Sequence, residues 1–248
     1  MFIYNTNMSL FSKTPPNTPK MSGKFLLPVI HVLDLDQVLR NVGTAKINGA
    51  DGVFLINHGS IETHELVEFY EEAVKSFPGF WIGLNCLDLE GYEVFRNVPN
   101  SVDGIWIDDG GISEKSSPCN KSNRCAKKIC RYKEESGFTG KYFGGVAFKY
   151  RKQVRDVKNV AKMATEFMDV VTTSGSATGV SPDVEKISLM KEAIGEKPLA
   201  LASGVTLANV FKFLPFVDYF LVATGISSGF YELDPQKLYN LAKFIHEY

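Results

Sequence analysis

Three short segments rich in glycine and hydroxyl side chains stand in the second half of the chain: Ser174-Gly175-Ser176-Ala177-Thr178-Gly179, Ser203-Gly204 and Thr224-Gly225. Glycine lets backbone N–H groups approach an anion closely, and Ser or Thr adds hydroxyl donors. A helix N-terminus behind such a loop adds a favourable dipole. One such segment is weak evidence, because glycine also serves plain turns. Three in succession, each following an apolar run, point to a site for a phosphate or similar anion. Ser174, Gly175, Ser176, Thr178, Gly179, Ser203, Gly204, Thr224 and Gly225 are the candidate anion-binding residues.

Several ionisable or amide side chains also end apolar runs. Asp108 and Asp109 are adjacent, so at most one faces the same way as its strand's inward residues while strand geometry lasts. One of them can act as a general acid or base or as a metal ligand, or stand as a solvated loop carboxylate or a helix cap. Lys149 can neutralise an anionic substrate, form a Schiff base if desolvated, or snorkel at the surface. His31 emerges from an apolar run and reads equally as an acid–base group or a structural histidine. Asn85 can hold a substrate hydroxyl or carbonyl.

The elements that must position these residues alternate along the chain. Strand-like runs are expected at Lys24–Val32, Gly52–Asn57, Phe80–Cys86, Gly104–Asp108, Tyr142–Phe148, Asp169–Thr173, Leu199–Ala202 and Tyr219–Ala223. Helix-like stretches follow at Asp34–Asn48, Glu62–Ser76, near Leu89–Phe95, up to Ser136, and at Val154–Phe167, Pro182–Ala193, Leu207–Leu214 and Pro235–His246. Pro182 is expected at a first helical position and Asp234 as the last helix's cap. Strands apolar throughout suit a parallel sheet covered on both faces. Eight such units in 248 residues predict a single (β/α)8 TIM barrel over residues 23–248. A doubly wound open sheet would place its glycine fingerprint after the first strand. Here Val29-Ile30-His31-Val32-Leu33 has no glycine.

An internal echo supports the count. Ala50-Asp51, Val102-Asp103, Met168-Asp169 and Val217-Asp218 precede strands two, four, six and eight. In a barrel those aspartates lie at the N-terminal face, where a structural role is expected. The polar residues ending the strands lie at the opposite, C-terminal face, where barrel active sites form and where the loops after strands seven and eight often hold phosphate.

Composition narrows the classes. The chain has 27 Lys plus Arg and 28 Asp plus Glu, for a net charge of -1. No general basic surface recommends a nucleic-acid binder. The stretch Lys121–Lys133, with Arg124, Lys127, Lys128 and Arg131, reads first as a solvated helix face. No apolar run approaches the ~20 residues of a membrane span. Cys119, Cys125 and Cys130 lack a standard zinc spacing, and with Cys86 they fit a reducing cytoplasm. Residues 1–22, with Thr14-Pro15-Pro16-Asn17-Thr18-Pro19, read as a flexible leader. The leader has no signal-peptide core, and its lack of Arg argues against an organelle transit peptide.

Together these motifs resemble the BtpA/SgcQ family, whose members have a TIM-barrel fold akin to the ribulose-phosphate-binding barrels. Val29-Ile30-His31 is similar to the family's opening strand, and Ile82-Gly83-Leu84-Asn85 to its Gly-Val-Asn third strand. Asp169 through Gly179 is close to its Asp, apolar strand, Ser-Gly-Ser-x-Thr-Gly signature. Ser203-Gly204-Val205-Thr206 with Asn209 resembles its Gly-Ser-Gly-Val-Thr…Asn-Val segment, and Leu233-Asp234-Pro235 its Val-Asp-Pro turn. The chain departs from that pattern after the first-strand His, where Asp34-Leu35-Asp36 replaces a Pro-rich segment. It departs again at Asp108 in place of Asn, and at strand five, where Lys149 is kept but the acid and the His are lost. Ser227-Ser228 stands where a Lys is common. The resemblance implies a retained phosphate cup with altered chemistry opposite it. It brings no settled reaction: some members are linked to photosystem I biogenesis and others to sugar-metabolism genes.

Two functions follow as expectations. One is an enzyme acting on a phosphorylated sugar or nucleotide-like metabolite, by isomerisation, lyase chemistry or glycosidic cleavage, with the phosphate on the loops after strands six, seven and eight. Asp108, Asp109, Lys149 and His31 are its candidate catalytic residues, with Asn85 on the substrate. The other is a non-catalytic metabolite-binding or assembly factor. The expected partner is a phosphate-bearing small molecule, without nucleic acid or membrane. No cofactor or metal is required by the sequence, and a homo-oligomer is compatible with it.

Overall fold

The structure, a computed structural model, describes residues 23–113, 123–149 and 154–248. The leader, Cys119, Lys121 and Tyr150 lie outside them. Eight strands, β1 (Phe25–His31), β2 (Gly52–Ile56), β3 (Trp81–Asn85), β4 (Gly104–Ile107), β5 (Lys141–Gly145), β6 (Val170–Ser174), β7 (Leu199–Ala202) and β8 (Tyr219–Val222), close in chain order into one parallel barrel. Closure is made by β1 against β8, with Phe25 opposite Tyr219 and Pro28 opposite Val222. The surrounding helices are α1 (Leu35–Ile47), α2 (Thr63–Ser76), α3 (Val94–Asn97), α4 (Arg124–Ser136), α5 (Val157–Ala164), α6 (Val184–Ile194) and α7 (Pro235–His246). The (β/α)8 barrel expected from the alternation of apolar runs is therefore the fold.

Strand alternation divides the core in two. Leu26, Ile30, Leu55, Leu84 and Ile105 face the helices, while Leu27, Val29, Phe54, Ile56 and Trp106 face the barrel interior. Aromatic rings fill the lower interior. Phe54 meets Trp81, Trp106 and Phe143 edge-on, with centroids 5.2, 5.7 and 5.2 Å away. Gly83 and Gly104 leave room for these rings: a Cβ on Gly83 would lie 2.4 Å from Phe54, and one on Gly104 2.5 Å from Trp81. These rings fill the barrel interior below its mouth.

The recurring aspartates pin the bottom. Asp51, Asp103 and Asp169 accept the N–H groups of Leu26, Ile82 and Tyr142, each at 2.8 Å, and Asp218 accepts that of Leu199 at 2.9 Å. Each even strand is thus tied by its leading Asp to the start of the odd strand before it. His246 also reaches Asp51, Lys133 reaches Asp169, and Lys191 and Lys24 reach Asp218. Among the described residues Asp103 has no such cation, and burial pushes its carboxyl above the ordinary range. Asp103→Ala should destabilise the barrel by about 1–3 kcal/mol, since a buried N–H loses its partner. Asp103→Asn keeps an acceptor and sheds the buried charge, so urea unfolding should show a smaller loss.

Three local expectations are corrected. Pro182 lies outside α6, because Asp183 takes the cap and accepts the Glu185 N–H at 3.0 Å. In place of a helix at Leu207–Leu214 there is one 3-10 turn, Val210–Lys212. Asn209 holds the chain in a turn there, accepting from Thr206 N–H at 2.8 Å and donating to the Gly204 carbonyl at 2.8 Å. The helix after β3 begins later, at Val94, because Asp88 draws the preceding segment onto Asn57 and Thr63. The last helix starts as expected, with Asp234 accepting from Gln236 and Lys237 at 3.0 Å. The basic face of α4 is partly occupied: Lys128 lies 3.1 Å over the Tyr92 ring, and Arg96 and Arg131 pair with Glu135. No helix among the described residues is long and apolar enough to cross a membrane.

Candidate anion-binding site

A pocket of about 110 Å3 opens at the C-terminal ends of the strands. One wall is built from the loops after β6, β7 and β8: Thr178-Gly179, Ser203-Gly204 and Thr224-Gly225. Facing it stand His31 from β1 and Lys149 from beyond β5, and Trp106 of β4 lies beneath. The N–H groups of Gly204, Thr224 and Gly225 donate to no acceptor among the described residues. Unspent amides beside a lysine are the chemistry that receives an anion.

The glycines have a second reason to be there. The three loops stack on one another through their backbones. A Cβ on Gly175 would lie 2.3 Å from the Val180 carbonyl oxygen, one on Gly204 2.1 Å from the same atom, and one on Gly225 2.1 Å from that of Val205. Gly204 also has φ +75°, while Gly179, at φ +76°, has open space around it. Ser203 shares the left-handed region at φ 88°. That conformation is costly for a residue with a side chain. Its hydroxyl compensates by strapping two loops together, accepting the Gly179 N–H at 3.1 Å and donating to the Ala177 carbonyl at 3.2 Å.

The remaining expected anion-site residues do not reach the pocket. Ser174 is fully buried. Its Oγ accepts the Lys149 N–H at 2.7 Å and donates to the Gly175 carbonyl at 3.0 Å. It orients the lysine segment and does not line the cavity. Gly175 is packed against Val180, and Ser176 points to solvent.

The opposite wall is also sorted by the structure. His31 is mostly buried, with its ring 4.2 Å from Phe230 and 6.2 Å from His58. Burial first, and then the nearby His58 and Lys149, pull its pKa down to about 4. His31 is therefore a neutral imidazole at neutral pH, able to accept a proton. Asp108 follows Trp106 on the inward side of β4, and accepts from Asn85 Nδ2 at 3.1 Å. Asp109 turns the other way and accepts the Gly111 N–H of its own loop at 2.9 Å. Neither aspartate nor Asn85 lines the pocket.

Four residues were not among the candidate site residues. Trp106 lines the pocket, and its position two before Asp108 on an inward-facing strand is the signal that would have found it. Thr206, two residues past Gly204, joins the same wall. Phe230 shields His31 from an exposed loop that carries no periodic pattern. Lys186 of α6 donates to the carbonyls of Ala147 and Ser174, at 2.5 and 2.8 Å, and so ties the ends of β5 and β6 together. Ala147 is held there at φ 49°. Among the described residues no three of His, Cys, Asp and Glu converge as metal ligands would.

The comparisons agree on the (β/α)8 fold. No family model matches the chain. An uncharacterized protein of Thermococcus kodakarensis is 25% identical over 211 residues, 77% of each chain. Another, from Pyrococcus abyssi, is 22% identical over 244 residues, covering 84% of this chain and 90% of its own. Solved structures of similar fold include orotidine 5'-monophosphate decarboxylase from Methanocaldococcus jannaschii, with TM-score 0.61, 14% identity, and coverage of 89% of this chain and 98% of the other. A second is (S)-3-O-geranylgeranylglyceryl phosphate synthase from Thermoplasma acidophilum in complex with sn-glycerol-1-phosphate, with TM-score 0.62, 12% identity, and coverage of 92% and 95%. A third is phosphoribosyl anthranilate isomerase from Thermus thermophilus, with TM-score 0.58, 13% identity, and coverage of 88% and 96%. Those neighbours are enzymes of phosphorylated compounds; their likeness to this chain is one of fold.

Proposed function

We propose that this protein is an enzyme acting on a small phosphorylated sugar or nucleotide-like metabolite. The observation that carries the reading is one pocket lined by three residues with unspent amides together with Lys149 and a neutral His31. The phosphate would sit on Gly204, Thr224 and Gly225, with Thr178 and Gly179 at its edge. Lys149 would stabilise negative charge developing on the substrate. His31 would take or return a proton. Isomerisation and lyase chemistry, which move a proton beside a carbonyl, suit this pair best; glycosidic cleavage usually needs two carboxylates flanking the bond. Asp108, engaged with Asn85, would act at one remove. The BtpA/SgcQ resemblance goes with this reading through the loops after strands six and seven. A cytosolic location, where the cysteines stay reduced, goes with it too.

A panel of sugar phosphates and nucleotides tests the reading by thermal shift. A ligand at 100 times its Kd should add about 2.7 kcal/mol, or roughly 5–10 °C in Tm for a barrel of this size. Inert behaviour of the whole panel at millimolar concentration would contradict it. The non-catalytic alternative is favoured by one observation, the loss of strand five's family acid and His beside Lys149. His31→Asn and Lys149→Met variants that bind ligand less tightly yet keep full cellular function would establish it.

A further inference from the structure

We propose that Trp106 is the recognition group at the floor of this pocket, its indole N–H donating to a carbonyl or hydroxyl oxygen on the carbon chain of the bound phosphate ester. The inference rests on the reading of the loops above it as a phosphate cup. Trp106 is 3% exposed, and its Nε1 has no hydrogen-bond partner among the described residues. Buried polar groups are normally paired, so an orphan in a native core calls for a reason. One other such atom exists among the described residues, Tyr142 Oη. Tyr142 faces the helix layer against Phe95 at 5.8 Å and does not line this pocket, so a ligand bound there does not explain it. Trp106 differs because its ring lines the pocket, with the unpartnered Nε1 on that ring.

Phe54 and Phe148 meet the ring edge-on at 5.7 and 6.1 Å, and Nε1 itself is covered, so a small shift of the ring brings its N–H onto a ligand oxygen. Around it the floor is apolar, formed by Val29, Ile56 and Leu221. Indole nitrogen donates only. The group it meets must therefore be an acceptor, and an alkyl chain would bury the N–H without a partner. Polar rim, apolar floor and a single unpartnered donor together select an oxygenated phosphate ester, a polyol or keto phosphate, over free phosphate or a simple alkyl phosphate.

The chain has two tryptophans, so indole nitrogen labelling gives two signals, with Trp81 as the internal control. Trp106→Phe assigns them. The probes are inorganic phosphate, sn-glycerol-1-phosphate and ribose 5-phosphate, with n-propyl and n-pentyl phosphate as partners lacking the oxygens. At least one oxygenated ester should bind roughly fivefold tighter than its alkyl partner, as one neutral hydrogen bond implies. That preference should vanish in Trp106→Phe, and the Trp106 indole proton should move downfield while Trp81 stays. If Trp106→Phe does not fold, Trp81→Phe assigns the two signals and the wild-type indole shift decides. Binding of inorganic phosphate with equal affinities for oxygenated and alkyl esters and an unmoved Trp106 signal would overturn this inference and leave the cup standing. Failure of inorganic phosphate to bind at millimolar concentration would remove the cup, and this inference with it.

Discussion

Gly204→Ala is expected to abolish phosphate binding and to destabilise the barrel by about 3 kcal/mol, as overpacking and a left-handed alanine combine. The added methyl would stand 2.1 Å from the Val180 carbonyl oxygen, on a backbone held at φ +75°. The atoms met are backbone, so the loops after β6 and β7 must part and the wall that Gly204 and Gly225 form is disrupted. A melting point lower by roughly 6–12 °C and no calorimetric signal with phosphate are the expected results. Gly179→Ala is the control. Its φ is equally left-handed, but nothing lies within 4 Å of the new methyl. It should cost only about 1–2 kcal/mol of strain and leave binding largely intact. Equal behaviour of the two variants would show that loop stacking does not shape the site.

Lys149→Met should weaken phosphate binding by roughly 10- to 100-fold, the worth of a charge-assisted contact in a partly enclosed pocket. It should also move His31. Burial is the largest cause of that residue's low pKa, with His58 next and the Lys149 charge after it. Removing the lysine therefore raises the His31 pKa from about 4 only part of the way toward 6.5. Phosphate added to the wild type should raise it as well, because an anion favours the imidazolium. Proton NMR of the imidazole reads both shifts. A fixed His31 titration in the variant and with ligand would place the lysine's charge and the anion elsewhere.

The same imidazole makes stability depend on pH. Its folded pKa lies below the unfolded one, so as pH falls from about 6.5 the unfolded chain takes up the proton first. Folded stability declines across the window from pH 6.5 to about 4 and is fully present above it. Urea midpoints for His31→Asn should lose part of this decline.

Much of the fold was legible in the chain. The eight strands are short apolar runs, and the aspartates at 51, 103, 169 and 218 recur because each ties a pair of strands at the bottom. The stretch at Leu207–Leu214 misled because its helical apolar spacing competes with the Asn209 side chain, whose bonds to Thr206 and Gly204 no periodicity reveals. Of the residues picked out by type, Thr178-Gly179, Ser203-Gly204 and Thr224-Gly225 line the candidate pocket. The reason for several glycines was not legible, since Gly175, Gly204 and Gly225 answer to carbonyls on neighbouring loops. Ser174 looked like an anion donor, but its hydroxyl is spent on Lys149 and Gly175. Trp106 escaped notice because an unpartnered indole is a property of packing across four strands.

Crystals soaked with tungstate, a phosphate-like anion with strong anomalous scattering, test the central claim most directly. A single dominant peak is expected within hydrogen-bond reach of the Gly204, Thr224 and Gly225 amides, on the side facing Lys149 and His31. A dominant peak elsewhere, or an empty cup at millimolar tungstate, would contradict the account.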